Sequence, residues 1–181
     1  LTPGRKHDSM MKTVYGVIDM VKGCDMIVGL THLPKYEVSE EIEIKRAFVG
    51  DRDRILEFVR EKFPDHIAWP AEVEHSLMQD VCKCFIAVED NRLIGFACFD
   101  VSSKSFFGPI GVDPTLRGKN LGKALLIRTL EAMRDYGYGY AIIGWVDGPE
   151  KIYQKAVGAQ FIQGGEPENS VYSRYIDISI I

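Results

Sequence analysis

The run Val112-Asp113-Pro114-Thr115-Leu116-Arg117-Gly118-Lys119-Asn120-Leu121-Gly122-Lys123-Ala124-Leu125-Leu126 decides how the rest of this chain reads. An apolar strand ends at Val112, Pro114 turns the chain, and a glycine-rich basic loop opens a helix over residues 121–136. Leu121, Ala124, Leu125, Ile127, Leu130 and Met133 recur at helical spacing, and Gly137 ends the segment. Unpaired backbone N–H groups at a helix N-terminus, together with the helix dipole, form an anion site. Glycines let a phosphate approach the backbone closely, and Arg117, Lys119 and Lys123 add positive charge. The pattern points to a pyrophosphate. The Walker spacing fails, because Ala124 stands where Ser or Thr should follow Gly122-Lys123, and GxGxxG is not matched either.

Upstream, residues 43–47 alternate as a short strand. Ile55, Leu56, Phe58, Val59 and Phe63 follow at helical spacing, with Asp51 or Asp53 placed to cap. Trp69-Pro70 starts a second helix, with Val73, Leu77 and Met78 facing inward. Residues 84–89 and 93–99 flank Asp90-Asn91-Arg92 as a hairpin. In the strand over 106–112, Gly108, Pro109 and Gly111 predict a bulge or a splay. Downstream come a buried strand at 140–146, a helix at 150–157, and strands at 161–162 and 171–180 around Gly164-Gly165.

The order β–α–α–β–β–β–α–β–α–β–β is that of a mixed α/β sheet. Residues 14–21 and 26–30 read as a hairpin. With the connector 31–41 they form an accessory unit, 12–41, ahead of a domain over 42–181. Residues 1–11 are expected to be disordered or a start-site or tag remnant.

A chain of 181 residues suits one compact domain. Lys+Arg 22 against Asp+Glu 26 leaves no basic excess for phosphates, which excludes broad nucleic-acid binding. No apolar run approaches the roughly 20 residues of a bilayer span, so no membrane partner is expected. The polar start lacks a signal-peptide core. Cys24, Cys82, Cys84 and Cys98 have no zinc spacing, and read as reduced thiols of a cytoplasmic protein without a metal.

The loop resembles the R/Q-x-x-G-x-G/A motif of the GNAT superfamily of acyl-CoA N-acyltransferases, including the preceding Val112-x-Pro114 and the following Gly122-Lys123-Ala-Leu-Leu. Asn120 stands where the family usually has Gly. Asn is the least costly other residue at positive φ. Tyr153-Gln-Lys-Ala-Val-Gly158 resembles the family's second helix, with one extra residue before Gly158, as if the helix end were bulged. The Asn that often precedes that helix is replaced by Val146-Asp147-Gly148. The resemblance covers residues 42–181. It implies a mostly antiparallel sheet splayed between the fourth and fifth strands of that domain.

By the same resemblance, acetyl-CoA is the co-substrate, with an amine acceptor attacking directly in a ternary complex. Ile110, Gly111 and Val112 are expected to hold the acyl carbonyl, and Arg117, Gly118, Lys119, Asn120, Leu121, Gly122 and Lys123 the pyrophosphate. Tyr153 is the expected general acid. No general base is identifiable; Asp147 and Asp100 are candidates, though each reads better as a solvated turn carboxylate. Trp69, Tyr36 and the acidic run 37–43 read either as lining an acceptor site, where Glu37, Glu40 and Glu41 would steer a cationic amine, or as a solvated connector and one core Trp. The apolar end Ile178-x-Ile180-Ile181 suggests a homodimer through a strand edge. A non-catalytic acyl-CoA sensor and a generic nucleotide binder stand as alternatives.

Overall fold

Strand alternation explains why both faces of the central sheet are covered. In β3 (Cys84–Glu89), Cys84 and Ile86 pack with α1 (Arg52–Lys62) and α2 (Trp69–Leu77). Phe85 and Ala87 point the other way, into the cluster built on α3 (Leu121–Asp135). β4 (Arg92–Phe99) divides likewise, with Phe96 and Cys98 on the first face and Ala97 and Phe99 on the second. Such strands read as continuous apolar runs because neither face meets water. Asp90 and Asn91, at φ 51° and 58°, close the two-residue hairpin between them.

The computed structural model describes residues 23–116, 118 and 120–177. Its sheet has the order β2-β3-β4-β5-β6-β1-β7. Besides β3 and β4 it comprises β1 (Cys24–Gly29), β2 (Ile42–Arg46), β5 (Phe106–Val112), β6 (Tyr140–Val146) and β7 (Gln160–Phe161). Every neighbouring pair is antiparallel except β5–β6. α4 (Glu150–Val157) shares the α3 face, where Tyr153, Ala156 and Val157 pack against the core.

Several expectations change. The segment set apart as an accessory hairpin contributes β1, which lies inside the sheet between β6 and β7. Its apolar Met26, Val28 and Leu30 are core residues of the α3 face, so local alternation matched an internal strand as well as a separate one. Residues 14–21, its expected partner, lie outside the described residues, as do 1–11. The strand expected over 171–180 is not formed through 177: Val171–Arg174 is a 3-10 turn, and residues 178–181 lie outside the described residues. The apolar end expected to carry a homodimer, Ile178-x-Ile180-Ile181, lies within that last stretch, outside the described residues. Asp51 occupies the N-cap of α1 without a side-chain capping bond.

Candidate active site

β5 and β6 pair only at Phe106↔Ile142 and Phe107↔Ile143 and then diverge. One extra residue on β5, opposite Ala97–Phe99, forms the bulge expected at Gly108-Pro109. Beyond it the Asp113 N–H bonds Ile94 O at 2.9 Å. Antiparallel alternation then turns the Gly111 N–H toward Phe96 and leaves those of Ile110 and Val112 facing the splay. Of the three residues expected to hold the carbonyl, Gly111 is thereby committed to the ladder. Its lack of a side chain serves packing: a Cβ there would lie 2.6 Å from Phe63 and 2.7 Å from Phe96.

The splay opens a cleft of about 520 Å³ lined from both faces of the sheet. Tyr153, Pro149 and Asp147 approach from α4 and its entry, Ile110 from β5, and Gly144 and Trp145 from β6. Trp69 and Glu72 approach from α2, with Ser102 and Tyr172 beside them. Burial raises the Tyr153 phenol to about 12. The helix carrying it ends regularly, without a bulge. Gly158 is left-handed at φ 69°, its N–H bonds Gln154 O at 3.0 Å, and the Ala159 N–H bonds Tyr153 O at 3.4 Å.

At the N-terminus of α3, Ala124 N–H makes the first helical bond, to Asn120 O at 3.0 Å. The N–H groups of Leu121, Gly122 and Lys123 therefore have no partner within the helix. Asn120 adopts the left-handed conformation at φ 58°, as expected of Asn in a glycine position. A Cβ on Gly118 would meet nothing within 4 Å, and one on Gly122 only Val112, at 3.8 Å. The first turn carries no acidic residue, Lys123 is exposed, and the Leu121 side chain is buried in the core, leaving its backbone for a ligand. An anion such as the CoA pyrophosphate fits these groups. Arg117 and Lys119 lie outside the described residues.

The base candidates separate. Asp147 is exposed at the cleft. Asp100 is neither solvated nor in the cleft: it is buried, bound to Lys83 at 2.7 Å and to the Tyr138 hydroxyl at 2.7 Å. Tyr36 sits beside Arg128 and Glu131 of α3, and the run 37–43 leads into β2, at the far edge of the sheet from the cleft.

Sequence reading missed Glu72. It lies one helical turn after Trp69, and that spacing was the signal available. Its carboxylate accepts the Tyr175 hydroxyl at 3.0 Å and that of Ser102, and burial pushes its pKa up. Also missed was Asp25 of β1, whose Oδ1 accepts the Trp145 N–H at 2.9 Å and whose Oδ2 accepts the Ser170 hydroxyl. Trp145 is held at φ 44°, a strained conformation for a bulky residue, where β6 carries a bulge opposite Cys24–Met26. The segment read as accessory thus positions a wall of the cleft.

Among the described residues no group of His, Cys, Asp and Glu assembles a metal site, and no helix is long and apolar enough to cross a membrane.

The sequence model of the acetyltransferase (GNAT) family matches residues 52–158. No curated protein matches the chain. Among solved structures, a GCN5-related N-acetyltransferase from Sphaerobacter thermophilus is similar at 20% identity and TM-score 0.62, covering 77% of this chain and 48% of that one. A glucosamine N-acetyltransferase region of a fungal multi-domain β-N-acetylglucosaminidase is similar at 16% identity and TM-score 0.59, covering 77% and 20%. An aminoglycoside N-acetyltransferase in complex with CoA is similar at 20% identity and TM-score 0.53, covering 71% and 95%. The chain spans less than half the length of the first two of these structures.

Proposed function

The chain belongs to the GNAT acetyltransferase family, and from that premise we propose that it transfers an acetyl group from acetyl-CoA to a primary amine by direct attack in a ternary complex. The observation that carries this reading is the cleft itself. Two strands part after Phe107, unpaired Ile110 and Val112 N–H groups face the gap, and Tyr153 lines the same cavity.

Acetyl-CoA, when bound, supplies the activated thioester carbonyl. The α3 N-terminus, with Gly118, Asn120, Gly122 and Lys123, holds its pyrophosphate, joined by Arg117 and Lys119 of the same loop. The N–H groups of Ile110 and Val112 stabilise negative charge on the carbonyl oxygen as the amine attacks. Such donors contribute about 3–4 kcal/mol each where charge develops.

The step balances as one exchange. The amine lone pair forms the C–N bond, the C–S pair leaves with sulfur, and the Tyr153 O–H gives its proton to that sulfur. The proton lost by the amine returns through solvent to Tyr153. Burial keeps Tyr153 protonated throughout the physiological range, so the O–H is always available. A cytoplasmic setting, with its acetyl-CoA pool, belongs to the same proposal.

The test is release of free thiol from acetyl-CoA across a panel of amines, with thermal shifts by CoA, ATP and NAD alongside. Amine-dependent thiol release with the largest shift from CoA is expected. Tight CoA binding without thiol release on any amine replaces this reading with a non-catalytic acyl-CoA sensor, and a larger shift from ATP or NAD replaces it with a nucleotide binder.

A further inference from the structure

The two faces of the sheet divide the cleft. Tyr153 belongs with the α3–α4 face, where the pyrophosphate site lies, while Trp69 packs on the α1–α2 face. The α1–α2 side of the cleft is free for an acceptor. It is aromatic: Trp69, stacked at 3.8 Å on His66, and Trp145, edge-on to Tyr172 at 5.3 Å.

The charge there is one-sided. The charged residues of the cleft lining are the acidic Glu72 and Asp147 and, among the described residues, it holds no lysine or arginine. Burial lowers the His66 pKa, so that ring is neutral at physiological pH. His75 and Arg174 lie with Glu72 in a neighbouring groove, and the partners that hold its carboxylate are hydroxyls, those of Tyr175 and Ser102. A half-buried carboxylate beside indole and phenol rings has the makings of an ammonium site, since charge and ring quadrupole attract the same ligand.

We propose that the acceptor is a small organic dication, a diamine or polyamine, whose distal ammonium is held by Glu72 and the aromatic walls of Trp69 and Trp145 while its other amine, uncharged, meets the acyl carbonyl at Ile110. This rests on the acetyl-transfer reading above and names its acceptor class. Glu72 is then a specificity-determining residue. Tyr175 and Ser102 are positioning residues that hold its carboxylate toward the cleft.

Both tryptophans of the chain line this cleft, so their emission reports its occupancy directly. The full chain, saturated with CoA, is titrated with diaminobutane, with pentylamine as a monocation of similar length and with aminobutyrate as a zwitterion. A saturable change is expected with diaminobutane at a dissociation constant about tenfold below those of the other two. Glu72→Gln should reduce that preference to below about twofold, and Glu72→Asp, which keeps the charge, should retain most of it.

Equal binding of pentylamine or aminobutyrate overturns the proposal in the wild-type protein alone, whatever the variants do. An unchanged preference in folded Glu72→Gln also overturns it. Thiol release is read in parallel. Dication binding without release removes the transfer reading and leaves the site, whereas release without dication preference removes the site and leaves transfer.

Discussion

The Tyr175 hydroxyl donates a 3.0 Å hydrogen bond to Glu72 Oε1, tying the C-terminal segment to the first turn of α2 beside the cleft. Burial and the neighbouring carboxylate raise Tyr175 to about 12, so it remains a donor. Tyr175→Phe should raise the acceptor KM about fivefold, the worth of one hydrogen bond of about 1 kcal/mol, with CoA affinity unchanged. Initial rates at fixed acetyl-CoA, paired with CoA titration, check this. An unchanged KM would mean that Glu72 is held without it.

Tyr153→Phe removes the proton donor and keeps the ring that fills the cleft. A kcat lower by about 100-fold is expected, with acetyl-CoA KM within about twofold of wild type. A thiol-release assay measures both, and retained kcat would assign Tyr153 to packing.

Gly111→Ala places a methyl where Phe63 and Phe96 stand, both within 2.7 Å of the added atom. A loss of about 1–3 kcal/mol is expected from overpacking, read as a fall in denaturant midpoint. Phe63→Leu in the same chain should recover part of it, because the clash is with a ring and not with backbone.

Asp100 and Lys83 form an ion pair with both side chains 0% exposed, and Lys83 also lies 3.5 Å over the Tyr136 ring. Asp100→Ala leaves that ammonium buried and unpaired, at a cost of about 3–5 kcal/mol. Folded Asp100→Ala enzyme should keep its acceptor KM and its pH profile, as a residue outside the cleft must.

Acid should unfold the protein partly through two aspartates. Burial pushes Asp100 up, but Lys83, Tyr138 and the Ser105 N–H outweigh it and hold the carboxyl below its ordinary value. The Thr115 N–H and hydroxyl, with Lys62, lower Asp113. Both native values lie below those of the unfolded chain, so the unfolded state binds more protons in that window. Their stabilisation is therefore complete above about pH 4 and is lost as pH falls through the native values. Urea midpoints measured between neutral and acid pH should show this slope, flattened in Asp113→Asn.

The turn into α3 was legible as a local pattern: a strand end, a proline, glycines, and a helix whose apolar stripe starts at Leu121. The left-handed Asn120 followed from the same pattern, as did the order of elements from β2 to α4. Periodicity reports how a segment is buried, and these segments are buried as their own spacing dictates. The same property misled the reading at β1 and at 171–177. Alternation in Met26–Leu30 states that the strand has an inner face but not which strands flank it. Tyr172, the buried residue of the last segment, packs on Gly144 and not in a ladder.

By itself, then, the sequence determined the fold class, the glycine-containing turn that opens α3 and the presence of a tyrosine on α4. Only the tertiary structure decided that Asp25 of β1 holds Trp145, that Asp100 is a buried ion-pair partner and not a base, and that Glu72 joins Trp69 at the cleft while the acidic run 37–43 stays at the far edge. The physical reason is separation along the chain. A helix start is settled by hydrogen bonds between near neighbours. That wall of the cleft exists only where α2, β6 and the C-terminal segment converge on the gap between β5 and β6.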